Sequence, residues 1–204
     1  MPAEPVILAF DTSAAHCAAA LLAGERVLAE RVEEMAKGQA ERLMPLLEDL
    51  LAGAGLGWRD LAALGAGIGP GNFTGVRIAV SAARGLALSL GIPAIGVSSF
   101  EARAEGTPRP VTVLLDARRG EAYAQRFSET GAEPPRLAPL ESLMEEGAGS
   151  PVMAPEARAA YPLAVAIARV ARRRLGTAQP RPAPLYLRGA DAAPPSDAPP
   201  KLLD

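Results

Sequence analysis

The feature that most constrains the fold of this chain is a short pattern that occurs twice, once in each half of the sequence. Residues 6–10 form a continuous apolar run that ends in Asp11, and residues 111–115 form a second such run that ends in Asp116. A run of this kind is typical of a strand buried within a sheet. In both copies a turn and a second predicted strand follow the Asp at a constant offset. The repeat therefore predicts a duplicated half-domain.

The rest of the chain reads as alternating strands and helices. Further strands are predicted at residues 17–22, 26–32, 61–68, 92–97, 122–127 and near 152. Helices are predicted at about residues 39–52, 76–90, from 98 or 99 onward, 140–145 and 163–175. Pro45 lies inside the first helix and predicts a kink or an early break there. This order predicts an α/β chain in which a mixed sheet carries helices on its faces.

A proline-rich joint at residues 107–110 divides the chain into two unequal parts. We assign residues 1–106 to a first lobe and residues 107–188 to a shortened second lobe. Residues 189–204 are largely Ala, Pro and Asp and offer little to bury, so we expect a disordered tail.

Composition excludes several classes of function. The formal net charge of −2 gives no basic excess for holding nucleic acid through phosphate neutralisation alone. The one cysteine, Cys17, excludes an intramolecular disulfide, and the one histidine, His16, excludes every metal signature that needs two histidines. We find no stretch with the roughly 18–20 apolar residues of a membrane span. No signal peptide is recognised either. A soluble cytoplasmic protein is expected.

The strongest local signal is the glycine-rich loop at residues 69–75, which leads into the second helix. Its glycines permit positive φ and close backbone approach, so we expect a positive φ at Gly71 or Gly75. Thr74 or a neighbour is expected to cap the helix. Free N–H groups at such a helix start suit an anion. The loop is therefore either a rigid structural turn or an anion site, and it is not a P-loop because no Lys-Ser/Thr pair follows.

Asp11 and Asp116 suggest a second kind of site. In a duplicated sheet the two turns that carry them would face each other across a cleft, where a carboxylate could hold a metal-bound nucleotide. The alternative is that each Asp only caps its own turn. The candidate anion or nucleotide site consists of Asp11, Thr12, Gly69, Gly71, Thr74, Gly75 and Asp116.

The first two predicted helices are apolar over an unusually wide part of their circumference. Either they cover each other, or part of their surface is a protein–protein interface. The candidate interface residues are Leu43, Met44, Leu47, Leu51, Val76, Arg77, Val80, Ala83 and Arg84.

Several motifs resemble those of one known family. Residues 7–13 and residues 69–78, which read Gly-Pro-Gly-Asn-Phe-Thr-Gly-Val-Arg-Ile, resemble the opening strand and the loop signature of the TsaB (YeaZ) family. Further similar segments lie at residues 92–99, 116–123 and 184–188. Asn72 stands where the family signature has Ser, and Gln39 stands where relatives commonly have His.

The resemblance implies a two-lobed fold of the actin/Hsp70-like (ASKHA, ribonuclease H-like) class and a non-catalytic scaffold role. Members of the family pair with a larger catalytic subunit, TsaD, which transfers a threonylcarbamoyl group to the adenosine beside the anticodon of tRNA. An ATPase, TsaE, also joins that complex.

On cofactors and contacts, the resemblance implies no cofactor of the chain's own, with ADP or ATP only at an interface of the complex. It implies contact with tRNA only through the complex, no contact with a membrane, and it leaves a homodimer open. The alternative is an independent small ASKHA-type kinase or nucleotide hydrolase that uses Asp11, the glycine-rich loop and Asp116.

Overall fold

A computed structural model describes residues 4–146 and 151–187, so the predicted disordered tail at 189–204 lies outside the described residues. The strands are β1 (Val6–Asp11), β2 (His16–Ala23), β3 (Arg26–Glu34), β4 (Leu61–Gly67), β5 (Ala94–Val97), β6 (Val111–Asp116), β7 (Glu121–Phe127), β8 (Arg136–Pro139) and β9 (Val152–Met153). The helices are α1 (Gln39–Gly53), α2 (Phe73–Leu90), α3 (Ser99–Ala104), α4 (Leu140–Glu146) and α5 (Leu163–Arg174). A short 3-10 helix, Trp58–Asp60, precedes β4.

The two sheets share one topology. The first has the strand order β3-β2-β1-β4-β5 and the second has the order β8-β7-β6-β9. In each sheet three consecutive strands form an antiparallel meander, and the next strand pairs parallel to the first of them. Asp11 ends β1 and Asp116 ends β6. The duplication predicted from the two apolar runs is confirmed.

Alternate side chains of β1 face two different cores. Leu8 and Phe10 belong to the core beneath α1 and α2, whereas Ile7 and Ala9 belong to the core beneath α5. A strand that is covered on both faces must be apolar at every position. This explains why β1 reads as a continuous apolar run and not as an alternating pattern.

Helix α5 corrects the predicted division into lobes. It falls in sequence within residues 107–188, yet it packs against β1, β2, β4 and β5 of the first sheet. Ion pairs of Arg173 with Glu105 and of Arg174 with Glu101 join it to the end of the first lobe. The joint at residues 107–110 therefore separates the two sheets but not the helices that cover them.

Helix α1 runs unbroken through Pro45, so the predicted break is wrong. Proline removes the backbone donor that would bond the carbonyl of Glu41, one turn earlier. Both Pro45 and Glu41 are exposed, so water can take that place.

Helix α2 corrects the expectation about membrane spans. It has 18 residues with a mean hydropathy of 1.2, which is enough by length and composition to cross a bilayer. Core helices of folded domains meet the same criterion. Val76, Ala79, Val80 and Ala83 of α2 are buried within the domain, and the helix connects two adjacent parallel strands of the first sheet. The share of this helix that is buried is 28%, so α2 packs one side against the domain core and exposes the rest.

Candidate functional site

The turn after β1 and the glycine-rich loop before α2 are bonded to each other. Thr12 Oγ1 donates a hydrogen bond to the Gly75 carbonyl at 2.6 Å, and the Asn72 N–H donates to the Ser13 carbonyl at 2.6 Å. Asn72 also caps α2, because its Oδ1 accepts from the Gly75 N–H at 3.0 Å. Thr74 is already inside the helix, so the cap is its neighbour Asn72.

Close approach of the two segments explains the loop glycines. A Cβ at Gly75 would lie 1.9 Å from the Thr12 carbonyl oxygen, and a Cβ at Gly71 would lie 2.5 Å from that of Ser13. The positive φ occurs at Gly69, where it is 85°, and not at the two glycines for which it was predicted. Glycine is therefore required at positions 71 and 75, because any side chain there would collide with the backbone of the turn. These contacts support the structural interpretation of the loop.

Asp11 is fully buried and stabilises its own turn. Its Oδ1 accepts hydrogen bonds from the N–H and the hydroxyl of Ser13, both at 2.8 Å, and from His16 Nε2 at 2.9 Å. Its Oδ2 has no hydrogen-bond partner among the residues that the structure describes. Gly67 leaves room for this oxygen, since a Cβ there would lie 1.8 Å from it.

His16 and Cys17 begin β2 beside this turn. The hydrogen bond to Asp11 raises the pKa of the His16 imidazole above its usual value, and the Glu34 carboxylate acts in the same direction, while partial burial opposes both. Burial raises the pKa of the Cys17 thiol to about 11, so the thiol stays protonated at neutral pH. Cys17 donates to the Gln39 carbonyl and His16 Nε2 contacts Asp11, so the two side chains do not pair with each other as nucleophile and base.

Asp116 occupies the position in the second sheet that Asp11 has in the first, but it is exposed. Its Oδ1 accepts the Arg118 N–H at 2.8 Å, which closes the turn between β6 and β7. Arg118 and Arg119 both adopt left-handed backbone, with φ of 65° and 54°. Non-glycine residues pay a conformational cost there, and such positions cluster at functional sites.

The predicted pair of facing carboxylates is not assembled. Asp116 and Gly71 line the cleft between the lobes, whereas Asp11 is covered by its own turn. The candidate residues Thr12, Gly69 and Gly75 are buried as well, and Thr74 is exposed on α2 outside the cleft lining. Asp11 does not face Asp116 across the cleft because the turn that carries Asp11 is in tight contact with the loop. This contact leaves no space between turn and loop for a nucleotide.

The cleft itself is large, with a volume of about 1210 Å³. Phe73 and Arg77 belong to its first-lobe wall, and Arg118 and Tyr123 belong to its second-lobe wall. Tyr186 reaches the cleft from the segment after α5. The cleft thus combines aromatic rings with guanidinium groups on both sides.

Phe73, Arg77 and Tyr186 form a stacked group at this cleft, which we call the rim cluster. The guanidinium carbon of Arg77 lies 3.7 Å from the centre of the Phe73 ring, and Arg77 Nε donates to the Tyr186 hydroxyl at 2.8 Å. The ring centroids of Phe73 and Tyr186 are 5.5 Å apart. The sequence pattern does not reveal this cluster, because Tyr186 is 109 residues away from Arg77 in the chain.

Most of the predicted interface residues lie in the core of the chain. Those that are at most 3% exposed are Leu43, Leu47, Leu51, Val76, Val80 and Ala83. These six side chains are covered within the chain, by the two helices and the sheet, and are not available to a partner. Met44 is half-buried, and Arg77 and Arg84 are exposed.

A different side of α2 faces outward. Arg77, Ser81, Arg84 and Leu88 are spaced three or four residues apart and therefore lie on one stripe of the helix. Leu88 is 84% exposed, more than any other large apolar side chain in the described residues. This stripe is the accessible part of the predicted two-helix surface.

Gln39 begins α1 and connects it to two other segments. Its Nε2 donates to the Met35 carbonyl at 3.1 Å and to the Ala14 carbonyl at 3.4 Å. The Cys17 thiol lies 3.6 Å from the Gln39 carbonyl and donates to it. The side chain at this position therefore contributes to positioning α1 beside β2.

Comparison with known sequences gives consistent matches. The family model described as "TsaD: tRNA N6-adenosine threonylcarbamoyltransferase" matches residues 26–185. The "tRNA threonylcarbamoyladenosine biosynthesis protein TsaB" of Escherichia coli (strain K12) is 40% identical over 122 residues, which cover 57% of this chain and 52% of that protein. The protein of the same name from Bacillus subtilis (strain 168) is 35% identical over 141 residues, covering 68% and 62%. The matches span about half the length of the first curated relatives.

Comparison with solved structures extends over nearly the whole chain. The structure described as "YeaZ from Pseudomonas aeruginosa" matches with a TM-score of 0.70 at 27% identity, and the match covers 90% of this chain and all of that one. A second structure, an uncharacterised protein from the same organism with similarity to YeaZ, matches with a TM-score of 0.69. Together with the repeated sheet topology, this match confirms the predicted duplicated ASKHA-type fold.

Proposed function

The chain belongs to the family described as TsaD: tRNA N6-adenosine threonylcarbamoyltransferase, and it is similar to TsaB (YeaZ) proteins in sequence and structure. We therefore propose that it acts in forming threonylcarbamoyladenosine in tRNA. It does so in the cytoplasm as a non-catalytic subunit. A larger TsaD-like subunit carries out the transfer, and this chain supports that subunit by binding to it.

The observation that carries the non-catalytic role is the occupation of the candidate catalytic groups within the chain. Asp11 accepts hydrogen bonds from Ser13 and His16 at one oxygen. Of the four N–H groups from Asn72 to Gly75, those of Asn72 and Gly75 donate to the turn and to the cap, so these two are not free for a phosphate. A nucleotide could reach these groups only by breaking bonds that hold the first sheet to α2.

The end of the exposed stripe of α2 that carries Arg84 and Leu88 is the surface that we assign to the partner. Leu88 presents an apolar side chain to solvent, and Arg84 lies one turn before it. Arginine is enriched at protein interfaces, and a partner that covered Leu88 would remove its exposed apolar surface from water. Binding of ADP or ATP at the interface, a TsaE-like ATPase as third component and a homodimer of the free chain stay predictions.

The test of this assignment is association with a TsaD-like subunit from the same organism, measured by size-exclusion chromatography. We expect the wild-type chain to form a complex and Leu88→Glu to weaken it, because a carboxylate would be buried against the partner. Met144→Glu is the matched control, since Met144 is also an exposed apolar residue, 47% accessible, on α4. The assignment fails if the wild-type chain forms no complex or if both variants behave alike.

The second candidate function is an independent kinase or nucleotide hydrolase that uses the cleft. Asp116 is the one candidate carboxylate that lines it. If the purified chain turned over ATP in the presence of magnesium, and Asp116→Asn abolished that turnover, the chain would be an enzyme in its own right. Our proposal expects no turnover from the isolated chain.

A further inference from the structure

The rim cluster keeps part of its aromatic surface open to solvent, beside the Arg77 guanidinium that stacks on Phe73. Phe73 is 52% exposed and Tyr186 is 48% exposed, although the two rings lie side by side. The segment that carries Tyr186 is held independently of this ring, because the Leu185 N–H donates to the Ile68 carbonyl at 2.8 Å. Adjacent exposed rings held on a rigid backbone form a platform on which a nucleobase can stack.

Positive charge lies on both sides of this platform. Arg77 takes part in none of the ion pairs found among the described residues, and it stacks on Phe73 instead. Arg118 lies on the opposite wall of the cleft, in the strained turn between β6 and β7. Asp116 adds one carboxylate to that wall, which can accept a hydrogen bond from an amino group of a base.

Two observations favour a strand of RNA over a free nucleotide. The cleft volume of about 1210 Å³ exceeds the usual range for a small-molecule pocket, about 300–1,000 Å³. Two of the four backbone N–H groups from Asn72 to Gly75, those of Asn72 and Gly75, donate within the chain and cannot also hold a terminal phosphate. Two arginines on opposite walls instead suit a phosphodiester backbone that passes through the cleft.

We propose that the cleft binds an unpaired segment of RNA, with a base stacked on Phe73 and Tyr186 and phosphates near Arg77 and Arg118. The identification of this RNA with tRNA rests on the proposed function, whereas the binding chemistry does not. Direct contact between this chain and RNA departs from the expectation that tRNA is contacted only through the complex. The net charge of −2 provides no general attraction to RNA, so stacking carries most of the affinity.

The test is fluorescence anisotropy of a labelled single-stranded RNA of about ten nucleotides with the full chain. We expect Phe73→Ala and Tyr186→Ala each to weaken binding about tenfold, whereas Tyr186→Phe, which keeps the ring, should retain most of it. Arg77→Ala should weaken binding. It should also make the slope of the logarithm of the association constant against the logarithm of the salt concentration about 0.7 less steep. Arg59→Ala is the matched control, because Arg59 is exposed just before β4 begins, at the end of the sheet away from the cleft.

The proposal is overturned if the wild-type chain binds no RNA, if the Ala variants at the rim cluster bind like Arg59→Ala, or if ADP alone displaces the RNA with equal affinity. In the last case one nucleotide would account for all of the binding. Failure of this test leaves the association with a TsaD-like subunit untouched, because that association is measured without RNA and through Leu88 on the other end of α2.

Discussion

At the scale of single residues, the candidate site is a contact between two backbone segments. The turn after β1 and the loop before α2 share two hydrogen bonds of 2.6 Å, Thr12 to Gly75 and Asn72 to Ser13. Such contacts between main chains tolerate no Cβ at the point of approach. Small changes in this region should therefore act on stability and not on chemistry.

The first prediction compares two glycines of α2. Gly75→Ala should destabilise the chain by about 3 kcal/mol or more, because its Cβ would lie 1.9 Å from the Thr12 carbonyl oxygen. Gly85→Ala has nothing within 4 Å of the new Cβ and should stabilise the helix by about 0.5–1 kcal/mol. Urea unfolding measures both. Equal effects of the two substitutions would mean that the loop and the turn are not in contact.

The second prediction concerns pH and His16, the one histidine of the chain. Its pKa is higher in the folded chain than in the unfolded chain, because it donates to Asp11. The protonated imidazole therefore contributes stability that is fully present below about pH 6.5 and is lost as the pH rises through the folded pKa. His16→Gln should remove this dependence of the free energy of unfolding on pH. An unchanged pH profile in His16→Gln would contradict the ion pair.

At the scale of helices and strands, α1 and α2 have a core side and an accessible side. Leu43, Leu47 and Leu51 of α1 are buried, and Val76, Val80 and Ala83 of α2 are buried. The wide apolar surface of the two helices led to the interface prediction. The sheet beneath them covers most of that surface. The accessible remainder is the stripe that ends at Leu88.

The third prediction separates these two sides by stability. Leu47→Ala should cost about 2–5 kcal/mol, because Leu47 is completely buried and its removal leaves a cavity. Leu88→Ala should change the free energy of unfolding by less than about 0.5 kcal/mol, since Leu88 is 84% exposed. Thermal or urea unfolding of both variants is the measurement. A large loss in Leu88→Ala would show that this residue belongs to the core.

Local sequence patterns predicted most of these elements, because each pattern has a physical cause within the element. The runs of β1 and β6 are apolar since both strands are central in their sheets. The cap of α3 follows from Ser98 and Glu101, whose side chains bond each other's backbone N–H. Strand β8 was missed because it has four residues, ends in a proline and pairs with β7 alone.

Contacts between distant segments could not be predicted in this way. The sequence of residues 163–174 does not show which sheet the helix covers, because its pattern identifies the apolar face and not the sheet that lies against it. The rim cluster is also a contact between distant segments, because Tyr186 follows α5 in the chain whereas Arg77 lies in α2. The buried state of Asp11 also depends on the approach of Gly67 and of the loop, which the duplicated pattern does not contain.

At the scale of the whole molecule, the second half of the chain is joined to the first by more than the joint at 107–110. Helix α5 covers the first sheet, and its arginines form ion pairs with Glu25, Glu101 and Glu105 of the first half. The segment after α5 then bonds the Ile68 carbonyl. The second sheet meets the first half through α3, which packs against β6, and through Arg103, which donates to the carbonyls of Ala154 and Ala157. These contacts connect the two walls of the cleft.

The central claim is that this chain supports threonylcarbamoyl transfer without performing it. The most direct measurement is formation of threonylcarbamoyladenosine in tRNA by a TsaD-like subunit, with and without this chain. We expect product only when both are present, and none from this chain alone. Product formed by this chain in the absence of the TsaD-like subunit, and lost in Asp116→Asn, would contradict the account.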